Sequence, residues 1–222
     1  MFKTIVIAIC CLLIGLFVTG QETFSVSKGA YNDAGVVVAP VKMNILYIGI
    51  DNPVDIAVPG VMRQDVSAKV IGAGIIEKGE DNHYNIKVNS PGKCLVAVMV
   101  KGKEVSRTEF RVKRIPPPTA TVGGKLIGGR INAQVLAVQL GLVAILENFD
   151  FQANFIIKSF SMKYSSGDLL QSFNAQGPFF TKEMKETIKK AKKADGVTFD
   201  EIIIIGPDTQ PRKIAGITFT II

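Results

Sequence analysis

Three prolines in a row, Pro116-Pro117-Pro118, keep the middle of this 222-residue chain out of any sheet interior. Each ring fixes φ and removes a backbone donor, so the segment cannot serve as a central strand. A short stiff connector over residues 115–118 is the expectation, one that sets orientation and does not tether loosely. The stretches on either side, residues 36–114 and 119–222, are each the size of a small domain. With 47% apolar and 20% charged residues, the chain has the composition of a globular protein. The absence of tryptophan and the 21 glycines favour short strands and many turns over long helices.

Upstream of the prolines the text reads as β throughout. Strands are expected at Val36 to Ala39, Met43 to Ile50, Val54 to Val58, Val66 to Ile71, Tyr84 to Val88, Cys94 to Val100 and Val105 to Lys113. Tyr84, Ile86 and Val88 alternate with Asn85 and Lys87, as in a half-buried strand. Asp51-Asn52-Pro53, Ser90-Pro91-Gly92 and Lys101-Gly102-Lys103 are turn text. About seven short strands at regular spacing point to an immunoglobulin-like β-sandwich, one without the paired cysteines and tryptophan of antibody domains. Residues 21–35 are polar and turn-rich, a lead-in to the first strand.

Downstream, the longest apolar stretch after the N-terminus runs from Gly141 to Met162. It reads as strands Leu142 to Leu146 and Ala153 to Met162 around Glu147-Asn148-Phe149-Asp150-Phe151. Strict alternation puts Ile157 with Ser159 and Ser161, and Phe160 with Ile156 and Met162. Phe149 and Phe151 are expected to plug a core. Asn132 should cap a helix through Ala133 to Leu140. Leu169 to Phe173, Thr198 to Ile205 and Ile214 to Ile222 supply further strands. Residues 182–194 form the clearest helix, with Thr181 as N-cap, Met184 and Ile188 on its apolar face, and an end at Asp195-Gly196. The fold class is therefore mainly β: an N-terminal immunoglobulin-like sandwich, then an α+β domain with a sheet and one or two short helices.

The N-terminus has the form of an export signal. Lys3 precedes an apolar run from Ile5 to Val18, and Val18-Thr19-Gly20 offers small or permissive residues before Gln21. The run falls short of the roughly 20 residues that span a bilayer. Cleavage between Gly20 and Gln21 is expected, with an uncleaved anchor as the alternative. Cleavage leaves Cys94 as the only cysteine, so no internal disulfide can form and the core must hold the protein together. Formal charge is +7, which favours anionic partners. An exported chain has little occasion to meet nucleic acid, so none is expected as a partner.

Reactive groups do not assemble into a catalytic pattern. His83 is the single histidine and lies in turn text, which excludes multi-histidine zinc motifs. Gly123-Gly124-Lys125 is followed by Leu126, not by Ser or Thr, so a tight turn explains it better than a phosphate loop. There is no Gly-x-Ser-x-Gly elbow, and Asp51, Asp55, Asp150 and Asp208 all fall in turns, where capping accounts for them. No enzyme activity, cofactor or metal is expected. Lysines crowd the predicted helix, and Lys182, Lys185, Lys189 and Lys192 are the candidate partner-binding residues. A merely solvated face is the alternative for them.

Three motifs in order carry a family resemblance: Tyr47-Ile48-Gly49-Ile50-Asp51-Asn52-Pro53, the Gly141 to Met162 stretch, and Ile205-Gly206-Pro207-Asp208. Together they resemble the C-terminal periplasmic part of GldM/PorM, gliding-motility and type IX secretion proteins of Bacteroidetes, over roughly residues 36–222. The resemblance implies a periplasmic interaction module with envelope proteins as partners, among them the outer-membrane lipoprotein ring, and it is compatible with a homodimer. Full-length members carry a membrane helix and further periplasmic domains ahead of this part. The chain is expected to be a released module without a stable membrane anchor once the signal is cut. An exported carbohydrate-binding or hydrolytic protein on a sandwich scaffold is the competing class. Intact-mass analysis of the protein released by osmotic shock should give a chain beginning at Gln21; retention of residues 1–20 in the membrane fraction would show an anchor instead.

Overall fold

A computed structural model describes residues 43–72, 74–79 and 83–222, all within one compact unit. The expected strand Val36 to Ala39, the lead-in and the export signal lie outside these residues. The fold is mainly β, with two short helices.

Two sheets build the first half. One has the order β1 (Ile45–Tyr47), β7 (Lys103–Lys113), β6 (Gly92–Val100), β3 (Val66–Ile71); the other has β2 (Asn52–Asp55), β5 (His83–Val88), β4 (Gly74–Lys78). Neighbours pair antiparallel except β1, which runs parallel to β7. Leu46, Val66, Cys94, Val96 and Val112 from one sheet meet Tyr84, Ile86 and Val88 from the other in a single core. β4 had no expected counterpart. Gly74 opens it where a Cβ would lie 2.8 Å from the Lys87 carbonyl, so the strand needs the glycine that hides it from a propensity reading.

The second half surrounds its own core. β8 (Thr119–Val122) pairs with β10 (Leu142–Ile145). A larger sheet runs β12 (Leu169–Gln176), β11 (Ile156–Ser166), β13 (Gly196–Ile205), β15 (Ile217–Ile221), β9 (Gly129–Ile131). β14 (Pro211–Ile214) shares the far edge of β13 with β15: it takes residues 202–205 and β15 takes 196–199. The helices are α1 (Ala133–Ala137) and α2 (Lys182–Lys190). The ring of Phe199 stacks on Phe180 at 4.8 Å and meets Phe160 and Phe219 edge-on.

Strict alternation fails along β11. Ile157 is buried with Phe160, Met162 and Tyr164, while Ile156 is exposed. The β11–β13 register shifts between Ile157 and Ser159, and again between Ser159 and Ser161. Each shift inserts one residue, first into β11 and then into β13, where Glu201 adopts φ 48°. A single insertion reverses the facing of all side chains beyond it. Accordingly β13 buries Val197 and Phe199 before the bulge, and Ile202 and Ile204 after it. The helix predicted through Leu140 stops at Ala137, and the strand predicted from Ala153 starts at Ile156.

The motifs that are far apart in sequence meet where the two halves join. Asn52, a buried strand residue and not part of a turn, closes the loop before it. Its Oδ1 accepts from Tyr47 N–H at 2.7 Å, and its Nδ2 donates to the carbonyls of Tyr47, Ile50 and Ile86. Gly49 at the loop tip (φ 85°) lies so close to the Pro207-Asp208 peptide that a Cβ would sit 2.5 Å from Asp208 N. Arg114 reaches Asp208 at 2.9 Å, and Arg212 donates to the Ile115 carbonyl at 3.0 Å. Tyr47 meets Phe149 and Phe151 edge-on at 4.9 and 5.7 Å. Phe149 and Phe151 are thus half-buried at this joint and not core plugs. Replacing Gly49 with alanine adds both a forbidden φ and an overlap with backbone, an expected cost of about 1–3 kcal/mol. Thermal melts should show this; an unshifted midpoint would mean that the joint accommodates a Cβ at residue 49 and does not depend on the glycine.

Candidate functional site

Helix α2 displays the lysines. Thr181 Oγ1 accepts from Met184 N–H at 3.2 Å, closing the N-terminus, and Met184 and Ile188 are fully buried. Lys182, Lys185 and Lys189 follow at i, i+3 and i+7 and so share one stripe. Lys182 and Lys189 are exposed and Lys185 is half-buried. Lys182 lies 4.0 Å from Glu186, an exposed pair of small energetic weight. Lys192 is not on the helix. The helix ends at Lys190, four residues before the predicted end, because the Asp195 carboxylate captures Lys192 N–H at 2.7 Å. An aspartate offering its own acceptor competes with the next helical turn.

Asp195 also fixes the whole element. Its Oδ2 accepts from the Tyr164 hydroxyl of β11 at 2.5 Å, and the backbone of residues 194 and 195 bonds reciprocally with Ile221 of β15. These donors, Tyr164 first and then Lys192 N–H, hold the carboxyl below its ordinary value. A depressed carboxylate contributes stability above its unfolded pKa and loses it as pH falls through the folded one. Asp195→Asn should therefore lower the melting temperature at neutral pH, and the gap from the parent should close as the medium becomes acid. Parallel melting curves over the whole range would remove Asp195 as the clamp.

A second feature adjoins α2 and has no counterpart among the sequence expectations. Residues Leu140 to Leu142 bridge to Pro178 to Phe180, with Leu142 N–H on the Pro178 carbonyl at 2.8 Å and Phe180 N–H on that of Leu140 at 3.0 Å. A Cβ on Gly141 would lie 2.0 Å from Pro178 O, so only glycine permits this contact. Beside the bridge opens a cavity of about 390 Å³, lined by Val138, Leu140, Leu142, Val143 and Phe179 together with Gly123 and Gln139. No carboxylate lines it. The sequence signal was present in Gly141 and Gly177-Pro178, but it takes the fold to bring residues 123, 138–143 and 178–179 together.

Groups with chemical reactivity stay apart. Cys94 is fully buried, and burial pushes its thiol up, away from the nucleophilic form. His83 and Asp55 form an exposed pair on neighbouring strands. Among the described residues there is no group of three or more His, Cys, Asp or Glu able to hold a metal ion.

Comparison with known proteins decides the family. The profile for the GldM third domain matches residues 35–113, and that for the GldM C-terminal domain matches residues 116–222. The chain belongs to the GldM family. GldM membership places it among gliding-motility and type IX secretion components, an envelope family with periplasmic domains. Both profiles meet at the proline connector, and the Gly49 loop of the GldM third-domain match touches the Pro207-Asp208 turn of the C-terminal-domain match. Among the described residues no helix is long and apolar enough to cross a membrane. No curated protein matches the chain. Among solved structures, domains 4–9 of the surface layer protein SbsC align at 12% identity over 85% of this chain, with a TM-score of 0.23. Domains 6–7 of SbsC align at 15% identity over 86% of this chain and 85% of that one, with a TM-score of 0.20. The chain spans 30% of the longer SbsC structure, and likeness at this level carries no argument.

Proposed function

We propose that this chain is a non-catalytic periplasmic interaction module of the gliding-motility and type IX secretion envelope machinery, built as two domains divided at residues 115–118. It binds a partner with an acidic surface through the lysine stripe of α2. The observation that carries this is the clamped helix: Lys182, Lys185 and Lys189 project from an element fixed at both ends, by Thr181 and by Asp195. A charged face held in place recognises its partner at lower ordering cost than one on a mobile loop. The neighbouring cavity has no carboxylate in its lining and so lacks the paired acids that glycoside hydrolysis uses. Envelope proteins, including lipoproteins of an outer-membrane ring, are the partners the family suggests, and the export signal delivers the chain to their compartment.

The triple variant Lys182→Gln, Lys185→Gln, Lys189→Gln keeps good helix formers along the stripe and leaves Met184 and Ile188 packed. Its melting temperature should hardly move, while association with an envelope protein co-isolated from the periplasm should slow several-fold at low salt and converge with the parent at high salt. Surface-plasmon kinetics at two salt concentrations read this. Identical on-rates for variant and parent would reduce the stripe to solvated surface.

A further inference from the structure

Among the described strands, β12 is the one sheet edge without a guard. It pairs with β11 alone. The other edges are short, charged or covered, the usual defences against edge-to-edge pairing. β1 and β9 have three residues each, and β2, β8 and β14 have four. β3 carries Lys69, β4 carries Glu77 and Lys78, and β10 is covered where Leu142 N–H meets the Pro178 carbonyl. β12 has eight residues, with no charge, no proline and no register shift against β11. At its start Leu169 and Leu170 are 51% and 68% exposed.

The backbone of β12 fixes what can pair with it. Gly177 N–H donates to the Lys158 carbonyl at 2.7 Å, and the register then runs unbroken from Ser159–Gln176 to Ser166–Leu169. In an antiparallel pair, hydrogen-bonded and non-bonded positions alternate, so the odd-numbered residues of β12 address β11. The N–H and C=O groups of Leu170, Ser172, Asn174 and Gln176 therefore point away from the sheet, where no strand answers them among the described residues.

This row matches itself. Turned about a twofold axis, the only antiparallel register that engages all of these outward residues sets Leu170 against Gln176 and Ser172 against Asn174. Phe173 then faces its own counterpart on the axis, in a non-bonded position where side chains come closest. Phe173 is only half-buried against the second core, and an aromatic pair across strands is favourable. Asn174 takes the Ser161 hydroxyl on its Oδ1 at 2.7 Å, which leaves its amide nitrogen to donate to Ser172 of the second copy. A partner selected by charge would find nothing on this strand to read. Two copies with a formal charge of +7 each can meet along it without setting like charges opposite one another in the pairing. We propose that β12 pairs antiparallel with β12 of a second copy of this chain about an axis through Phe173, joining the two larger sheets into one. The contact is isologous, so it uses up the edge on both molecules and closes at two. It does not depend on the lysine stripe of α2.

Sedimentation equilibrium on the chain recovered from the periplasm tests this. A reversible dimer is expected, and it should tighten as salt rises, because screening relieves repulsion between two positive molecules. Ser172→Pro removes an outward N–H that the protein's own ladder does not use, and proline is tolerated on that side of an edge strand. It should raise the dissociation constant about tenfold or more, with the melting temperature unchanged at a concentration where the parent is monomeric. Phe173→Cys reads the register. Non-bonded partners stand about 4.5 Å apart at Cα, within reach of a disulfide, so mild oxidant should cross-link this variant on a non-reducing gel. Gln171→Cys, set against Ala175 of the second copy, should stay uncross-linked. A parent that is monomeric at every concentration overturns the proposal. So does a dimer indifferent to Ser172→Pro, or equal cross-linking of the two cysteine variants.

Discussion

Asp208 is the group on which the arrangement of the two halves turns. Its side chain is 3% exposed, yet it carries a charge that burial penalises unless partners answer it. Arg114, at the end of β7, reaches one oxygen at 2.9 Å, and Arg212 of β14 lies 3.6 Å from the other. Arg212 then donates to the Ile115 carbonyl and covers the Phe155 ring at 5.7 Å. Taking either partner away leaves the buried carboxylate less well answered, a destabilising loss that solvent around the half-exposed Arg114 moderates. Each arginine therefore ties the connector to the second core, and the three prolines keep the link short. Ile115 and Pro118 at the two ends of that connector are buried while Pro116 and Pro117 are exposed, so it is packed down at both ends.

The clamped helix and the apolar cavity obey the same logic at a smaller scale. The sheet supplies Tyr164 and Ile221, these hold Asp195, and Asp195 decides where α2 stops. The lysines are presented by an element that cannot lengthen or fray freely at its C-terminus. One turn before its N-terminus, Phe180 points into the aromatic core while Phe179 points out to the cavity rim. Adjacent residues thus serve core and surface, and the stacked ring of Phe180 on Phe199 is what keeps Phe179 at the rim.

Much of this was legible in the residues. Val66 to Ile71 has the bounds its alternation gives, Thr181 and Asn132 cap as their side chains suggest, and the lysines of α2 face outward because Met184 and Ile188 face inward. What resisted reading has physical causes. β4 begins at a glycine that its neighbour requires, α1 ends three residues before the expected Leu140, and Asp195 outcompetes a helical turn that propensity favours. Phe149 and Phe151 look like core residues because nothing local shows that Tyr47 waits a hundred residues upstream. The cavity was out of reach for the same reason, since its rim comes from segments that share no local pattern.

The two bulges between β11 and β13 have an evolutionary consequence as well as a geometric one. Each displaces the inward and outward positions by one, much as an inserted base displaces a reading frame. Removing the extra residue of β13 near Glu201 would turn Ile202 and Ile204 outward while Val197 and Phe199 stayed in place. A matching loss in β11 near Lys158 would restore register between the strands but would still expose Ile157. Length changes at this spot are thus neither neutral nor mutually compensating, unlike those in the surrounding turns. The four consecutive isoleucines from Ile202 to Ile205 soften the penalty, because whichever pair faces inward, the core receives the same side chain.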